Sequence, residues 1–207
     1  MVAEYKKRKR TRIECNESYV SDHLEELISC YYEKGKKVLI VMNTVKRSQN
    51  IFMMLQNIFG ARGYPQEDLM LIHGRFTFGD RSRLERRLTD TKGTLPKILV
   101  ATQIVEVSLD IDYDVMFTEA CYPDSLVQRA GRINRRGNLG NNGEGLIRFF
   151  LPEGWQENKE KSSLPYDEEL LSASISIIRD RASKITSEYD YIALTDNFYN
   201  KNAKRNF

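Results

Sequence analysis

The amino-acid sequence predicts an α/β fold built on an open, mostly parallel β-sheet. The first observation is a series of short, continuous apolar runs, which are typical of strands buried on both faces of a sheet. The second is that segments with helical periodicity alternate with these runs, as in repeated strand–helix–strand units. The third is that 207 residues, of which 41% are hydrophobic and 29% charged, suffice for one ordinary domain with a short appendage.

The elements are predicted in order along the chain. Apolar residues recur with helical spacing over 19–34, and Gly35 ends this helix. Further helices are predicted at 44–59, at about 79–90 and, rich in arginine, after Pro123. Buried strands are predicted at 38–42, 69–72, 98–101, 115–118 and 146–151. Because ligands of such sheets bind at the carboxyl ends of the strands, the chemistry is expected there.

The most informative stretch begins at Gln128 and reads Gln-Arg-Ala-Gly-Arg-Ile-Asn-Arg-Arg-Gly. On a helix, Gln128, Arg132 and Arg135 occupy positions i, i+4 and i+7 and project from one face. Two guanidinium groups with an amide beside them suit the negative charge of a phosphoryl group in transfer. Gly131 lets a ligand or another backbone approach, and Gly137 is expected to cap the helix. A solvated basic helix face is the alternative interpretation.

Small or polar residues follow three of the predicted strands. Thr44 follows the first, Gly74 the second and Thr102 the third. Such residues suit contacts to a phosphate backbone, and Asp110 farther along can accept hydrogen bonds from ribose hydroxyls. Each signal is weak alone, since Thr44 can simply cap a helix and His73 can simply pack a loop. Their ordered succession before the arginine-rich segment strengthens the functional interpretation.

Together these segments resemble the second, C-terminal RecA-like lobe of superfamily 2 helicases. Residues 101–112 and 128–137 are similar specifically to the CRISPR-associated helicase–nuclease family of type I interference systems. Superfamily 2 helicases usually carry Gly where Ser108 stands, and Thr-Gly where this chain has Ile-Asn between its two arginines. The resemblance covers about residues 15–151. It implies a RecA-like open, mostly parallel sheet with helices on both faces, followed by a short helical appendage.

The resemblance also implies catalytic and ATP-binding residues. Arg132 and Arg135 match the arginines that reach the ATP γ-phosphate from the second lobe. Gln128 matches the glutamine that lies near the same phosphate and water. Asp110 matches the carboxylate that contacts the nucleotide ribose and helps to couple the two lobes.

The same resemblance implies the partners. Thr44, Gly74 and Thr102 match positions that contact the backbone of single-stranded DNA, while Glu106 and Ser108 lie in the coupling segment. Besides DNA, the implied partners are a first RecA-like lobe and an RNA-guided surveillance complex. Two alternatives stay open: a general superfamily 2 helicase lobe outside CRISPR systems, and a non-catalytic module that binds single-stranded nucleic acid or a protein.

Missing motifs shape the expected activity. The chain has no Gly-x-x-x-x-Gly-Lys-[Ser/Thr] loop, because Gly35-Lys36-Lys37 lacks both the earlier glycine and the hydroxyl. The only histidines, His23 and His73, form no histidine–aspartate cluster in the sequence, so no metal site and no nuclease centre are predicted. ATP and Mg²⁺ are therefore expected to be bound mainly by the first lobe. The chain alone is expected to be an inactive part of an ATP-dependent DNA helicase.

The chain is expected to divide into four parts. These are a basic arm at 1–14, the helicase lobe at 15–152, a linker at 153–165, and a helical region at 166–207 leading toward an accessory domain that the chain lacks. Within residues 1–12, Lys or Arg stands at positions 6, 7, 8, 9, 10 and 12 against a single acid, Glu4.

Composition indicates the expected location. No stretch of membrane-spanning length is apolar enough to form a transmembrane helix, and no signal-peptide core is present. The three cysteines are odd in number and show no Cys-x-x-Cys spacing, which favours a reduced, cytoplasmic protein without structural disulfides.

Overall fold

The computed structural model describes residues 11–89, 95–107, 109–137, 143–184 and 187–202. The strands of this part are β1 (Thr11–Asn16), β2 (Val38–Val41), β3 (Leu69–Ile72), β4 (Ile98–Ala101), β5 (Val115–Glu119) and β6 (Gly145–Phe150). They form one sheet in the order β1-β6-β5-β2-β4-β3, and every neighbouring pair is parallel. The prediction of an open parallel sheet is confirmed.

The helices alternate with these strands and then follow them. They are α1 (Leu24–Leu27), α2 (Val45–Arg62), α3 (Phe78–Thr89), α4 (Ile104–Val107), α5 (Pro123–Ala130), α6 (Lys159–Ser163), α7 (Glu168–Arg181) and α8 (Glu188–Asn202). The single helix predicted over 19–34 is instead composite. A 3₁₀ turn (Val20–His23) precedes α1, and a π-helical turn (Ile28–Tyr32) follows it. The apolar stripe of this segment is buried as predicted.

Helices cover both faces of the sheet because the central strands are apolar on both sides. In β2, Val38 and Ile40 pack in one core cluster with Leu55 of α2. The alternate residues Leu39 and Val41 belong to a second cluster on the opposite face. The five predicted strands agree with the observed ones to within one residue at each end.

β1 is a strand that the sequence interpretation did not predict. It pairs with β6 at the edge of the sheet and includes the last four residues of the segment interpreted as a basic arm. Thr11 and Ile13 are buried whereas Arg12 is exposed, so burial alternates with a period of two over the first three residues, and residues 14–16 are half-buried. Residues 1–10 lie outside the described part of the chain.

The C-terminal helices pack into the same core as the sheet. Leu171 of α7 and Leu194 of α8 belong to one buried cluster with Leu39 of β2. The Tyr191 hydroxyl lies 2.8 Å from Thr11 Oγ1 of β1. α6 lies within the stretch interpreted as a linker. Among the described residues, no helix combines the length and apolarity needed to cross a membrane.

Candidate functional site

The three residues predicted to contact DNA lie at one edge of the sheet. Thr44, Thr102 and Gly74 follow β2, β4 and β3, which are adjacent. Thr44 is the N-cap of α2, and its hydroxyl accepts a hydrogen bond from the Arg47 backbone N–H at 3.3 Å. Thr102 is only 5% exposed, and apart from Gly74 and its two neighbours in the chain, no described atom lies within 4 Å of where a Cβ at Gly74 would stand. All three residues therefore lie at the carboxyl ends of adjacent parallel strands, and we call this end of the sheet its carboxyl edge.

His73 packs the same edge and does not face solvent. Its ring stacks on Phe76 with 4.3 Å between ring centroids, and its Nδ1 accepts the Arg75 backbone N–H at 3.3 Å. Burial, followed by the nearby Arg75 charge, lowers the pKa of His73. These contacts fit the loop-packing interpretation of this residue.

Phe78 is a feature of this edge that the sequence interpretation missed. It is the first residue of α3 and is 87% exposed, although it is a large aromatic side chain. α3 also carries four arginines against two acids, at positions 81, 83, 86 and 87 and at positions 80 and 85. An exposed aromatic ring among basic side chains is the pattern that could have indicated a nucleic-acid contact.

The arginine-rich segment is not a single helix. α5 ends at Ala130, with Gly131 at the C-cap, and the chain continues in turns. The prediction that Gln128, Arg132 and Arg135 project from one helix face is therefore wrong. Only Gln128 of the three lies on the helix.

Pairing with another segment stops the helix. The Tyr113 N–H donates to the Arg132 carbonyl at 3.0 Å, and the Asn134 N–H donates to the Tyr113 carbonyl at 2.9 Å. Asn134 adopts a positive φ of 46° in this turn. The prediction that Gly137 caps the helix is also wrong: with φ 67°, Gly137 closes a turn by donating to the Asn134 carbonyl at 3.1 Å.

The three residues meet nonetheless. They line an open pocket of about 480 Å³ whose lining is Glu106, Val127, Gln128, Gly131, Arg132, Arg135 and Arg136. The lining includes three arginines against one glutamate. The pocket is therefore suited to an anionic ligand such as a phosphate chain.

Arg132 is held in this pocket by the backbone of α4. Its Nε donates to the Val105 carbonyl at 2.7 Å, and one Nη donates to the Glu106 carbonyl at 2.8 Å. Carbonyls near the end of a helix lack intrahelical donors, so the guanidinium satisfies them. Burial, and then the charge of Arg135, lower the pKa of Arg132. The result is a cation that is fixed in direction before any ligand arrives.

Arg135 and Asp110, both predicted to meet the nucleotide, contact each other. Nη1 of Arg135 lies 2.8 Å from Asp110 Oδ1, and the Arg135 backbone N–H donates to Asp112 at 2.8 Å. Both charged side chains are largely exposed, so their attraction adds little stability. Little free energy is therefore needed to separate these two side chains.

Arg129 is a second residue that the sequence interpretation missed. Although it belongs to the same basic run, it is 0% exposed, and its Nε donates to Glu106 Oε1 at 2.8 Å. Burial opposes its charge, but Cys121, Tyr166 and Glu106 more than offset this and raise the pKa of Arg129. The sequence offered no signal that separates this arginine from its exposed neighbours.

Two further predictions concern Ser108 and metal binding. Ser108, placed in the coupling segment, lies outside the described residues. Within the described residues, no group of three His, Cys, Asp or Glu side chains is arranged to hold a metal ion.

Comparison with known proteins places this geometry in a family. Residues 34–138 match the family model described as CRISPR-associated nuclease/helicase Cas3, C-terminal. The Methanothermobacter thermautotrophicus protein named CRISPR-associated nuclease/helicase Cas3 is 31% identical over 168 residues, covering 79% of this chain and 18% of that protein.

Solved structures agree with this match. The crystal structure of T. fusca Cas3 superposes with a TM-score of 0.80 at 25% identity, covering 95% of this chain and 24% of that one. The crystal structure of T. fusca Cas3-ATP superposes with a TM-score of 0.78 at 25% identity, covering 95% of this chain and 24% of that one. A chain titled CRISPR RNA-guided surveillance complex, pre-nicking, shares the fold, with a TM-score of 0.75 at 24% identity over 96% of this chain and 26% of that chain. This chain spans about a fifth of the relatives' length, and its sheet is that of a RecA-like helicase lobe.

Proposed function

This chain belongs to the Cas3 family, whose C-terminal helicase region it matches, and on that premise we propose that it is the second motor lobe of an ATP-driven single-stranded DNA translocase in CRISPR type I interference. The observation that carries the proposal is that the Arg132 guanidinium is hydrogen-bonded to the Val105 and Glu106 carbonyls. Arg132 lines one open pocket together with Arg135 and Gln128.

The pocket fits the phosphate end of a nucleotide. Arg132 and Arg135 stabilise negative charge on the γ-phosphate of ATP that is held mainly by the first lobe, and Gln128 lies beside the attacking water. A guanidinium fixed in advance suits this task, because it needs little reorganisation as charge develops. Asp110 meets the ribose once its pairing with Arg135 opens.

The described residues do not supply the rest of an ATP site. The chain has no phosphate-binding loop, and no cluster of acids among the described residues could hold Mg²⁺. The first lobe must therefore provide both. ATP and Mg²⁺ are cofactors of the completed motor, and the isolated chain is inactive.

Single-stranded DNA lies along the carboxyl edge, where Thr44, Gly74 and Thr102 contact its backbone. Because Thr102 is nearly buried, its contact involves only the small part of the residue that reaches the surface. α4 begins two residues after Thr102 and contains the Val105 and Glu106 carbonyls that bind Arg132. This short helix, with Glu106 and the adjoining Ser108, couples the DNA edge to the arginine pocket.

Family membership also supports the larger assembly. An RNA-guided surveillance complex recruits the motor to its target. The likeness to a chain of such a complex supports this at the level of the fold.

The proposal is tested by measuring DNA-stimulated ATP hydrolysis. The chain is assayed alone, mixed with a separately produced first RecA-like lobe, and fused to that lobe by a flexible tether. We expect no hydrolysis by the chain alone and DNA-stimulated hydrolysis in the mixture or the fusion. Appreciable hydrolysis by the chain alone would overturn the proposal. A fusion that hydrolyses no ATP but still binds single-stranded DNA would also overturn the proposal, because that result favours a non-catalytic binding module.

A further inference from the structure

Arg129 connects four parts of the fold from inside the protein. Its Nη1 donates to Thr118 Oγ1 at 2.7 Å and to the Glu119 carbonyl at 3.1 Å, both on β5. One Nη2 hydrogen bond goes to Asn43 Oδ1 after β2 and another to the Tyr166 hydroxyl, each at 3.2 Å. With Nε on Glu106, every nitrogen of the guanidinium has a partner. Such a group holds its neighbours in one arrangement.

Glu106 lies between two arginines. Its carboxylate accepts from Arg129 Nε at 2.8 Å, whereas its backbone carbonyl accepts from Arg132 at 2.8 Å. The buried pair thus fixes the position of α4, and α4 provides both carbonyls on which Arg132 rests. A shift of Arg129 would therefore move the two backbone carbonyls to which Arg132 is hydrogen-bonded.

Tyr166 brings the C-terminal segment to this network. It precedes α7, and its ring packs on Tyr122 with 4.6 Å between centroids. Its hydroxyl accepts from the Arg129 guanidinium and lies 3.5 Å from Ser125 Oγ. Burial raises the pKa of Tyr166 to about 12, so the hydroxyl stays neutral at physiological pH. We call the part of the chain from Tyr166 through α8 the tail. Tyr166 is thus the side chain through which the tail contacts the buried Arg129 guanidinium.

We propose that Tyr166 is a positioning residue for Arg132. Through Arg129 and Glu106 it holds α4 in the arrangement that positions Arg132 at the pocket, so that the catalytic rate depends on the hydrogen bond between Tyr166 and Arg129. The inference rests on the proposed function for its catalytic consequence. Its structural part, that Tyr166 fixes Arg132, is independent of that function.

The structural part is tested on the intact chain by ¹⁵N NMR. The probe is exchange with water of the Arg132 Nε proton, which is hydrogen-bonded to the Val105 carbonyl. Its resonance is assigned by its loss in Arg132→Lys. Tyr166→Phe should accelerate this exchange roughly 2- to 30-fold, the range expected for a residue coupled through a network. The indole N–H of the buried Trp155 is the internal reference and should not change.

Tyr122→Phe is the matched control. The Tyr122 hydroxyl accepts from the Asp167 backbone N–H at 3.1 Å, so it holds the same segment but does not contact Arg129. We expect Tyr122→Phe to leave exchange at Arg132 unchanged. Equal effects of the two substitutions, no effect of Tyr166→Phe, or a rise in exchange that includes Trp155 would overturn the inference.

The catalytic part is measured in the chain fused to the first lobe. Tyr166→Phe should lower kcat for ATP by the same roughly 2- to 30-fold while KM for ATP and DNA affinity stay unchanged. In an Arg132→Ala background it should have no further effect, because both changes act on one group. An unchanged kcat, or an additive loss, would overturn the catalytic part. If the unsubstituted fusion hydrolyses no ATP while Tyr166→Phe still accelerates exchange at Arg132, the proposed function fails and the positioning inference stands.

Discussion

Glu119 is a carboxyl group buried where three segments meet. It ends β5, is 0% exposed, and accepts the backbone N–H of Asn43 at 2.7 Å and of Glu153 at 3.2 Å. Arg47 approaches to 3.4 Å. Burial raises the pKa of Glu119, and the Arg47 charge and the backbone donors offset this only in part.

This burial predicts how stability depends on pH. Between the ordinary pKa of 4.5 and the raised pKa, the folded protein keeps a proton at Glu119 that the unfolded chain releases. The contribution to the free energy of unfolding is therefore complete below the ordinary value and is lost as pH rises through the raised one. Urea unfolding at a series of pH values should show this fall, and Glu119→Gln should remove it. An unchanged slope in Glu119→Gln, or the same effect from the exposed Glu144→Gln, would contradict the assignment.

Arg129 and Arg132 differ in burial in a way that the sequence alone does not reveal. Both belong to one basic run and differ by three positions, yet one is fully buried and the other lines an open pocket. Identity and spacing predicted the role of Arg132 through family resemblance. They could not predict that Arg129 is internal, because its partners come from four distant parts of the chain.

Among the elements, α3 presents an exposed aromatic ring after β3, on the side of the sheet where the proposed function places DNA. Phe78 is 87% exposed and follows the loop that contains Gly74. Stacking of a nucleobase on an aromatic side chain contributes about 1–3 kcal/mol, or roughly 5- to 150-fold in affinity. We therefore expect Phe78→Ala to weaken binding of fluorescent oligothymidine by a factor in that range.

The control for this prediction is Tyr189→Ala, which removes an aromatic side chain that is 47% exposed on α8. It should leave oligothymidine affinity unchanged. If both substitutions weaken binding equally, or if Phe78→Ala has no effect, α3 does not contact the bases.

The secondary-structure elements were predictable where local sequence and tertiary environment agree. The central strands are continuous apolar runs because both of their faces are covered by helices. β1 was missed because it is an edge strand of mixed polarity, and only its period-two alternation marks it. α5 is shorter than predicted because pairing at Tyr113 overrides the helical periodicity beyond Gly131.

At the scale of the whole molecule, the tail stabilises the lobe. Leu194 and Ile192 lie two residues apart on α8, but Leu194 is 0% exposed and Ile192 is 48% exposed. Leu194→Ala should lower the free energy of unfolding by about 2–5 kcal/mol, because it leaves a cavity in the core shared with the sheet. Ile192→Ala should change it by about 0.5 kcal/mol or less. Urea denaturation measures both, and equal effects would show that the tail does not belong to this core.

The location of the motor's chemistry is also a property of the whole molecule. The arginine pocket is open, and the described residues offer it no phosphate-binding loop. In the proposed function, the surface that holds ATP faces this pocket from outside the chain. The sequence indicated this through the missing motif, and the structure adds the fixed direction of Arg132.

Whether Arg132 acts on ATP bound by another lobe is decided by kcat for DNA-stimulated hydrolysis in the chain fused to the first lobe. Arg132→Ala should lower kcat by roughly 10³–10⁵-fold, as expected for an arginine supplied in trans, while DNA affinity is retained. Arg62→Ala, which removes a surface arginine paired with Glu33, should leave kcat unchanged. An Arg132→Ala fusion that keeps kcat within about tenfold of the unsubstituted fusion would contradict the proposed role of this residue.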